Sequence, residues 1–141
     1  MLNELLASAY SNDMAGRKPC MKQALEENFM TTITDEMMRE RIAQTKSYTV
    51  VILRKTTKYG EPGTDTIIWE HGRRNFQLRE EGLLPIVCPV RDESDVSGVG
   101  IFNATREEVK TIYDEDPGVK AGVFTYEIHA CRGFPGDSLP K

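Results

Sequence analysis

Two side chains of this sequence, His71 and Asp116, have the chemistry to move a proton together. Histidine ordinarily titrates near neutral pH, and a carboxylate that holds an imidazole fixes its tautomer and raises its basicity. His71 stands near the start of a predicted helix, and Asp116 stands in "DEDPG", which ends another predicted helix. Each also has a plainer interpretation, because a histidine near a helix start often bonds locally and acids before Pro-Gly commonly form a turn. These positions alone favour the plainer interpretation.

Three other side chains have chemistry that could serve a function. Cys88 precedes a proline at a strand end and could be a nucleophile beside a histidine, although free cysteine is more often a buried, inert thiol. Tyr126 could line a pocket or belong to the core. His129 alternates along its strand with Thr125 and Glu127, which predicts an exposed position.

The cysteines and histidines do not have the spacing of a metal site. Cys20, Cys88 and Cys131 form no Cys-x-x-Cys pair, and the two histidines lie far apart in the chain. An odd number of scattered cysteines indicates reduced thiols and a cytoplasmic protein. We therefore expect no metal and no cofactor.

Length and charge exclude several classes of partner. The chain has 141 residues, enough for one domain with a sizeable core, and its net charge of −4 comes from interspersed charges of both signs. Nucleic-acid binding calls for a concentrated basic face, which the sequence lacks. No apolar run approaches the roughly 18 residues of a membrane span, and the N-terminus lacks a signal-peptide pattern.

The pattern from residue 47 onward predicts alternating strands and helices. "SYTVVILRKT" (47–56) is a strand with apolar residues on both faces, and a helix over about 65–81 ends at Gly82. "LLPIVCPV" (83–90) is a second strand, which its two prolines place at a sheet edge or a bulge.

The second half repeats this alternation. "GVGIFNA" predicts a third strand, and in the helix "TREEVKTIY" Thr105 and Glu108 form a capping-box pattern while Val109 and Ile112 face inward. "AGVFTYEIHA" is a fourth strand, with Phe124 and Tyr126 on one face. The order strand, helix, strand, strand, helix, strand predicts an α+β fold, namely a ferredoxin-like βαββαβ subunit with an antiparallel four-stranded sheet and both helices on one face.

The segments around this unit are interpreted as additions to it. Residues 1–46 are polar and methionine-rich and predict a helical N-terminal extension, in which Thr34 caps the third helix. The α+β domain covers 47–132, and 133–141 form a C-terminal tail. The uncovered face of the sheet calls for dimerisation, for the N-terminal extension, or for both.

The helix that carries His71 has two partly apolar stripes. The predicted core-facing stripe starts at Ile68 and continues through Gly72 and Asn75 to Leu78 or Arg79, with His71 at its margin. A second stripe consists of Trp69, Arg73 and Phe76. The first stripe is diluted by a glycine and an amide, which is unusual for a face that packs only against a core.

Residues 71–131 resemble the YCII-related family of dimeric α+β-barrel proteins. The resemblance rests on His71 before a helix-ending glycine, on "LLPIVCP", and on "DEDPGVKAGVFTYEI", whose Asp-Pro and Ala-Gly steps are the more specific part. With the strand at 47–56 it spans about 47–131. It implies a subunit that dimerises sheet against sheet around a pocket with a histidine and an aspartate, here His71 and Asp116.

The sequence departs from the family pattern at three positions. The family commonly has leucine where this chain has Gly72 and Asn75, and glycine where it has Cys88. Known activities of the family include dehydrochlorination of a chlorinated hydroxyquinol. We expect these departures to change the shape and polarity of the pocket, so that the relatives' substrates cannot be assumed.

The resulting hypothesis is a dimeric enzyme without a cofactor that acts on a small cyclic or aromatic substrate. His71 and Asp116 would perform lyase or isomerase chemistry, and Gly72, Asn75, Cys88 and Tyr126 would contact the substrate. The alternative is a non-catalytic module that binds a small ligand or a protein through the Trp69–Arg73–Phe76 stripe. A third possibility is a purely structural dimer that exchanges its N-terminal extension.

Overall fold

A computed structural model of the chain describes residues 31–141. The described residues divide into two compact units, one that includes residues 31–40 and 138–141 and one of Arg41–Asp137. Helix α1 (Asp35–Ala43) starts at the predicted cap, because the Thr34 hydroxyl accepts a hydrogen bond of 3.2 Å from the Met37 amide. The two helices predicted before residue 31 lie outside the described residues. Within the described range, no helix is both long enough and apolar enough to cross a bilayer.

The second unit is built on one antiparallel sheet. Its four strands are β1 (Lys46–Lys55), β2 (Ile86–Pro89), β3 (Val96–Phe102) and β4 (Phe124–Gly133). They are hydrogen-bonded in the order β2-β3-β1-β4, and each neighbouring pair is antiparallel. The connecting helices are α2 (Thr64–Glu80), α3 (Arg106–Asp114) and α4 (Pro117–Lys120). This is the predicted ferredoxin-like βαββαβ order, so the fold class is confirmed.

The core lies between the helices and one face of the sheet. Along β1, Thr49, Val51 and Leu53 are buried and alternate with half-buried residues on the other face. The buried apolar residues form one cluster: Val51, Leu53, Leu78, Leu84, Phe102, Val109, Tyr113, Val123 and Phe124. The helices therefore cover one face of the sheet, which we call the helix-side face; the opposite face is called the open face.

Helix α2 turns a different side inward from the one predicted. Its buried residues are Thr64, His71 and Leu78, while Ile68 and Gly72 are only half-buried. The prediction that His71 lies at the margin of the buried side is thus wrong. The prediction placed the apolar residues of the helix against the core. In the structure a cavity lies beside Ile68 and Gly72, and the histidine ring packs against Phe124, with ring centroids 5.0 Å apart.

The ends of α2 and α3 follow local signals in the sequence. Gly82 has a φ of 75° and donates its amide to the Arg79 carbonyl, so it ends α2 as predicted. Thr105 and Glu108 make both bonds of the capping box at the start of α3. The strand predicted over 83–90 shortens to Ile86–Pro89, and it lies at the sheet edge, where proline costs no ladder bond.

The segment after α3 differs from the prediction. "DEDPG" does not simply end a helix: Asp116 is the N-cap of α4, which starts with Pro117. The predicted start of the last strand is also wrong, because Gly122 has a φ of 73° and closes α4. Strand β4 therefore starts at Phe124 and continues to Gly133. Asp116 consequently stands at the start of a helix, where negative charge is favoured, and not at an end, where it is disfavoured.

Candidate functional site

The structure brings His71 and Asp116 into direct contact. Nδ1 of His71 lies 2.8 Å from Oδ2 of Asp116, although the two residues are 45 positions apart. Both are buried, with exposed fractions of 8% and 3%. An ionised carboxylate can only accept, so the pairing places a proton on Nδ1 and leaves Nε2 as the nitrogen with a free electron pair in the neutral ring.

Asp116 is held in place from three sides. Its Oδ1 accepts hydrogen bonds from the amides of Gly118 (2.9 Å) and Val119 (3.1 Å), as an N-cap does. Nη1 of Arg74 lies 3.9 Å from Oδ2; that nitrogen is buried and finds no hydrogen-bond partner in the described part of the chain. The two amides and the guanidinium therefore hold the carboxyl group in position beside the imidazole.

Asn75 contacts the other nitrogen of the histidine ring. Its Nδ2 lies 3.1 Å from Nε2 of His71, one helical turn away on α2. An amide nitrogen can only donate, so Nε2 accepts this bond. The ring is therefore held by an acceptor on one side and a donor on the other, which specifies a single neutral tautomer.

A cavity of about 270 Å³ opens beside the histidine. We call it the inner cavity; His71, Gly72 and Asn75 lie on its α2 wall. The sheet contributes Leu53, Val87, Gly98, Gly100 and Phe124. Gly98 and Gly100 are on the helix-side face of β3 and add no side chains to the floor. The lining is largely apolar, and Lys55, Tyr59 and Ser97 add polar groups to those of His71 and Asn75.

Tyr113 is a cavity residue that the sequence prediction missed. It lies one turn after Val109 on the inward face of α3, so the spacing that identified Val109 also points to it. Burial raises the pKa of the Tyr113 phenol, and the negative charge of Asp116 raises it further, while Arg74 opposes the shift. No described residue forms a hydrogen bond with the hydroxyl, which stays protonated and can donate to a ligand.

Cys88 and Tyr126 lie away from the inner cavity. Cys88 is exposed on the open face of the sheet, because its neighbour Val87 takes the helix-side position and side chains alternate along a strand. The Tyr126 hydroxyl donates to Oδ1 of Asp114 at 2.5 Å. Burial, this hydrogen bond and the charge of Asp114 raise the pKa of Tyr126 to about 12.

The remaining candidate residues form no second catalytic or metal-binding group within residues 31–141. His129 is exposed on β4 as predicted, with Nε2 3.3 Å from Glu127. Among residues 31–141, no group of three or more histidine, cysteine or acidic side chains is placed to hold a metal ion.

Comparisons with known proteins give a likeness in structure and none in sequence. No protein-family model matches the sequence, and no curated protein matches it. The chain is similar to the solved structure of 5-chloro-2-hydroxyhydroquinone dehydrochlorinase from Burkholderia phenoliruptrix AC1100, in complex with 2,5-dihydroxybenzoquinone. The identity is 16% and the TM-score 0.41, over 58% of this chain and 90% of that chain. A likeness at this level supports no conclusion about the chemistry of this chain.

Proposed function

We propose that this protein is a YCII-like enzyme, with its α+β domain over 47–132, that transfers a proton on a small cyclic or aromatic substrate. The observation that carries the proposal is the 2.8 Å hydrogen bond between His71 Nδ1 and Asp116 Oδ2 at the wall of a cavity. A buried carboxylate that orients an imidazole is an arrangement suited to general-base catalysis. The resemblance to the family, noted above on "DEDPGVKAGVF", supports the same roles.

The proton transfer would use Nε2 of His71. This nitrogen takes a proton from a carbon of the substrate, and the electron pair of the broken C–H bond forms a C=C bond. In lyase chemistry the leaving group departs with its electron pair and the proton follows it into solvent; in isomerase chemistry Nε2 returns the proton to another substrate atom. Asp116 stabilises the imidazolium formed in between.

Two neighbouring groups would polarise the substrate. Before a substrate can reach Nε2, Asn75 must release its 3.1 Å bond to that nitrogen, and the freed amide can then donate to a substrate oxygen. The Tyr113 hydroxyl, with its raised pKa, is a second donor on the same cavity. Donors aimed at an oxygen that gains negative charge lower the barrier to enolate formation.

The proposal is tested by solvent-exchange measurements with the ring compounds cyclohexanone and resorcinol in D₂O. We expect the native protein to accelerate exchange of their carbon-bound protons, followed by proton NMR. His71→Asn places an amide near the position of Nδ1 and removes Nε2, so we expect it to lose the acceleration by about 100-fold or more, as for loss of a general base.

The matched control for this experiment is His129→Asn, which removes the exposed histidine on β4. We expect it to exchange protons at the native rate. If His71→Asn retains the native acceleration, or if both variants lose it equally, His71 is not the base.

A non-catalytic ligand-binding module is the second candidate. One observation favours it: both ring nitrogens of His71 already have partners, as in a purely structural hydrogen-bond network. In this case the same two compounds would shift the His71 ring resonances without any acceleration of exchange. Binding without exchange therefore supports the module, and binding with exchange supports the enzyme.

We further propose that two copies pair through the open face of the sheet. This face presents half-buried apolar side chains on adjacent strands, among them Val50 and Ile52 on β1 and Val99 and Ile101 on β3. An extended apolar face of this kind is commonly covered by a second subunit.

The dimer has its own test. We expect the native chain to elute as a dimer in size-exclusion chromatography with light scattering, and Ile52→Asp to elute as a monomer, because the charge would be buried at the centre of the pairing. Phe76→Asp makes the same change on the exposed side of α2 and should remain a dimer. A native monomer, or a dimer unaffected by Ile52→Asp, contradicts the pairing.

A further inference from the structure

We infer that the inner cavity continues over Gly72 into a second groove, so that the site takes a two-ring ligand with a polar ring at His71 and an uncharged apolar ring outside. The inference deepens the proposed function and rests on the site at His71. It names a substrate class: a phenolic or cyclic ketone head that bears an aryl or similarly flat apolar arm.

The second groove lies along the outer side of α2. We call it the aromatic trough: it is lined by Tyr59, Trp69 and Phe76, with Asp65 and Arg73 beside them, and measures about 450 Å³. The trough and the inner cavity share three lining residues, Tyr59, Ile68 and Gly72. These three residues therefore form the boundary between the inner cavity and the trough.

Gly72 is what keeps the two spaces connected. At 100° per residue along α2, it lies between the direction of Asn75, which faces the inner cavity, and that of Phe76, which faces the trough. A Cβ atom built at Gly72 meets nothing within 4 Å, and its φ is not in the left-handed region. Neither packing nor backbone conformation calls for glycine here, although glycine inside a helix is unfavourable relative to alanine. What the glycine does provide is open space at this position, between the inner cavity and the trough.

The side chains of the trough define the ligand's outer part. Trp69 and Phe76 are 71% and 64% exposed, and Tyr59 is 40% exposed, an unusual concentration of uncovered rings. The charges beside them are of both signs, Asp65 and Arg73, and Nε of Arg73 already contacts Glu70 at 3.2 Å. The cations of Lys55 and Arg79 lie 5.1 Å and 5.7 Å from the ring centroids of Tyr59 and Phe76, so Trp69 is the trough ring with no cation described over it. The trough therefore suits a flat, uncharged group that stacks on rings and does not select a charged one.

Size points the same way. Small-molecule pockets usually enclose about 300–1,000 Å³. The inner cavity, at about 270 Å³, falls just below this range, and the trough extends it well into the range. A cavity of about 150 Å³ already encloses one benzene ring, so the inner cavity holds a single ring with space left beside it. A flat two-ring ligand whose first ring lies against His71 extends past Gly72 into the trough.

Two probes separate the two spaces: phenol, which has one ring, and 4-phenylphenol, which has two. Trp69 is the only tryptophan of the chain, so tryptophan emission reports on the trough, and the ring resonances of His71 report on the inner cavity. We expect 4-phenylphenol to bind at least tenfold more tightly than phenol and to change both signals with one midpoint. Phenol should shift the His71 resonances and leave the emission unchanged.

Variants at Gly72 test the connection. Gly72→Leu fills the gap, so we expect 4-phenylphenol to lose more affinity than phenol and the tenfold preference between the two probes to disappear; Gly72→Ala should be intermediate. Gln77→Leu is the matched control, since Gln77 is exposed on α2 and lines neither space. It should bind both probes like the native protein, and unfolding midpoints verify that all three variants are folded.

Several results would overturn the inference. These are a two-ring probe that binds no tighter than phenol, separate midpoints for the two signals, or full 4-phenylphenol affinity in Gly72→Leu. Tryptophan emission that changes with protein concentration alone would also overturn it, because a second copy would then cover the trough. If phenol still shifts His71 in these cases, the proposed site at His71 stands; if neither probe shifts it, both fall.

Discussion

Replacing Asp116 with alanine is expected to lower the free energy of unfolding by about 3 kcal/mol, one of the two largest effects that we predict. The substitution removes an N-cap that accepts two amides, which contributes about 1 kcal/mol. It also removes a buried, charge-assisted bond to His71, which contributes about 1.5–3 kcal/mol. Urea unfolding followed by circular dichroism measures the loss.

Asp116→Asn separates these two contributions. Asparagine is as good an N-cap as aspartate, so this variant should keep the amide contacts and lose only about half as much stability. Its amide can present a donor to His71, which would move the ring proton from Nδ1 to Nε2. Nitrogen-15 shifts of the histidine rings detect this change, and the exposed His129 is the internal reference. Equal losses for the two substitutions, or a loss below 1 kcal/mol for alanine, would contradict the structural role assigned to the carboxylate.

Gly118→Ala is expected to be the second strongly destabilising change, by about 1–3 kcal/mol. A Cβ atom at this position would lie 2.5 Å from Cδ2 of Phe124 and 3.1 Å from Oδ1 of Asp116. Phe124 is almost fully buried and stacks on His71, so it has little room to move. The clash should therefore lower the unfolding midpoint and also shift the His71 resonances.

Gly72→Ala is the matched control for this substitution. Both glycines are in helices and neither has a positive φ, but a Cβ atom at Gly72 meets nothing within 4 Å. Alanine in a helix interior is favoured by about 1 kcal/mol, so the control should be as stable as the native protein or slightly more stable. If both substitutions change stability by the same amount and sign, packing around Phe124 is not the cause.

Much of the fold was predictable because its signals are local. Gly82 ends α2 and Thr105 caps α3 through contacts with residues only a few positions away. The alternation of Val51 and Leu53 with half-buried neighbours follows from the geometry of a strand. The prolines of the second strand likewise predict an edge position, because proline cannot donate a backbone hydrogen bond to a neighbouring strand.

The errors arose where two local interpretations competed. An Asp-Pro step after a helix is compatible with a turn and equally with the cap of a new helix, and the structure shows the cap at Asp116. The stripe on α2 was assigned by hydrophobicity, which cannot anticipate that a cavity takes the place of packed side chains beside Gly72. Tyr113 was missed for the same reason: its ring looks like core, and only the cavity gives its hydroxyl a role.

The sequence by itself determined the order of the four strands with α2 and α3, the ends of those two helices and the alternation of faces, because each depends on residues that are neighbours along the chain. The family resemblance added His71 and Asp116 as a pair. Only the tertiary structure decided that the two meet at 2.8 Å, that Asn75 holds the other ring nitrogen, and that Cys88 points away from the site. Such contacts depend on how α2 and α4 are set against the sheet, which is fixed by packing between elements distant in sequence and has no signature in any one segment.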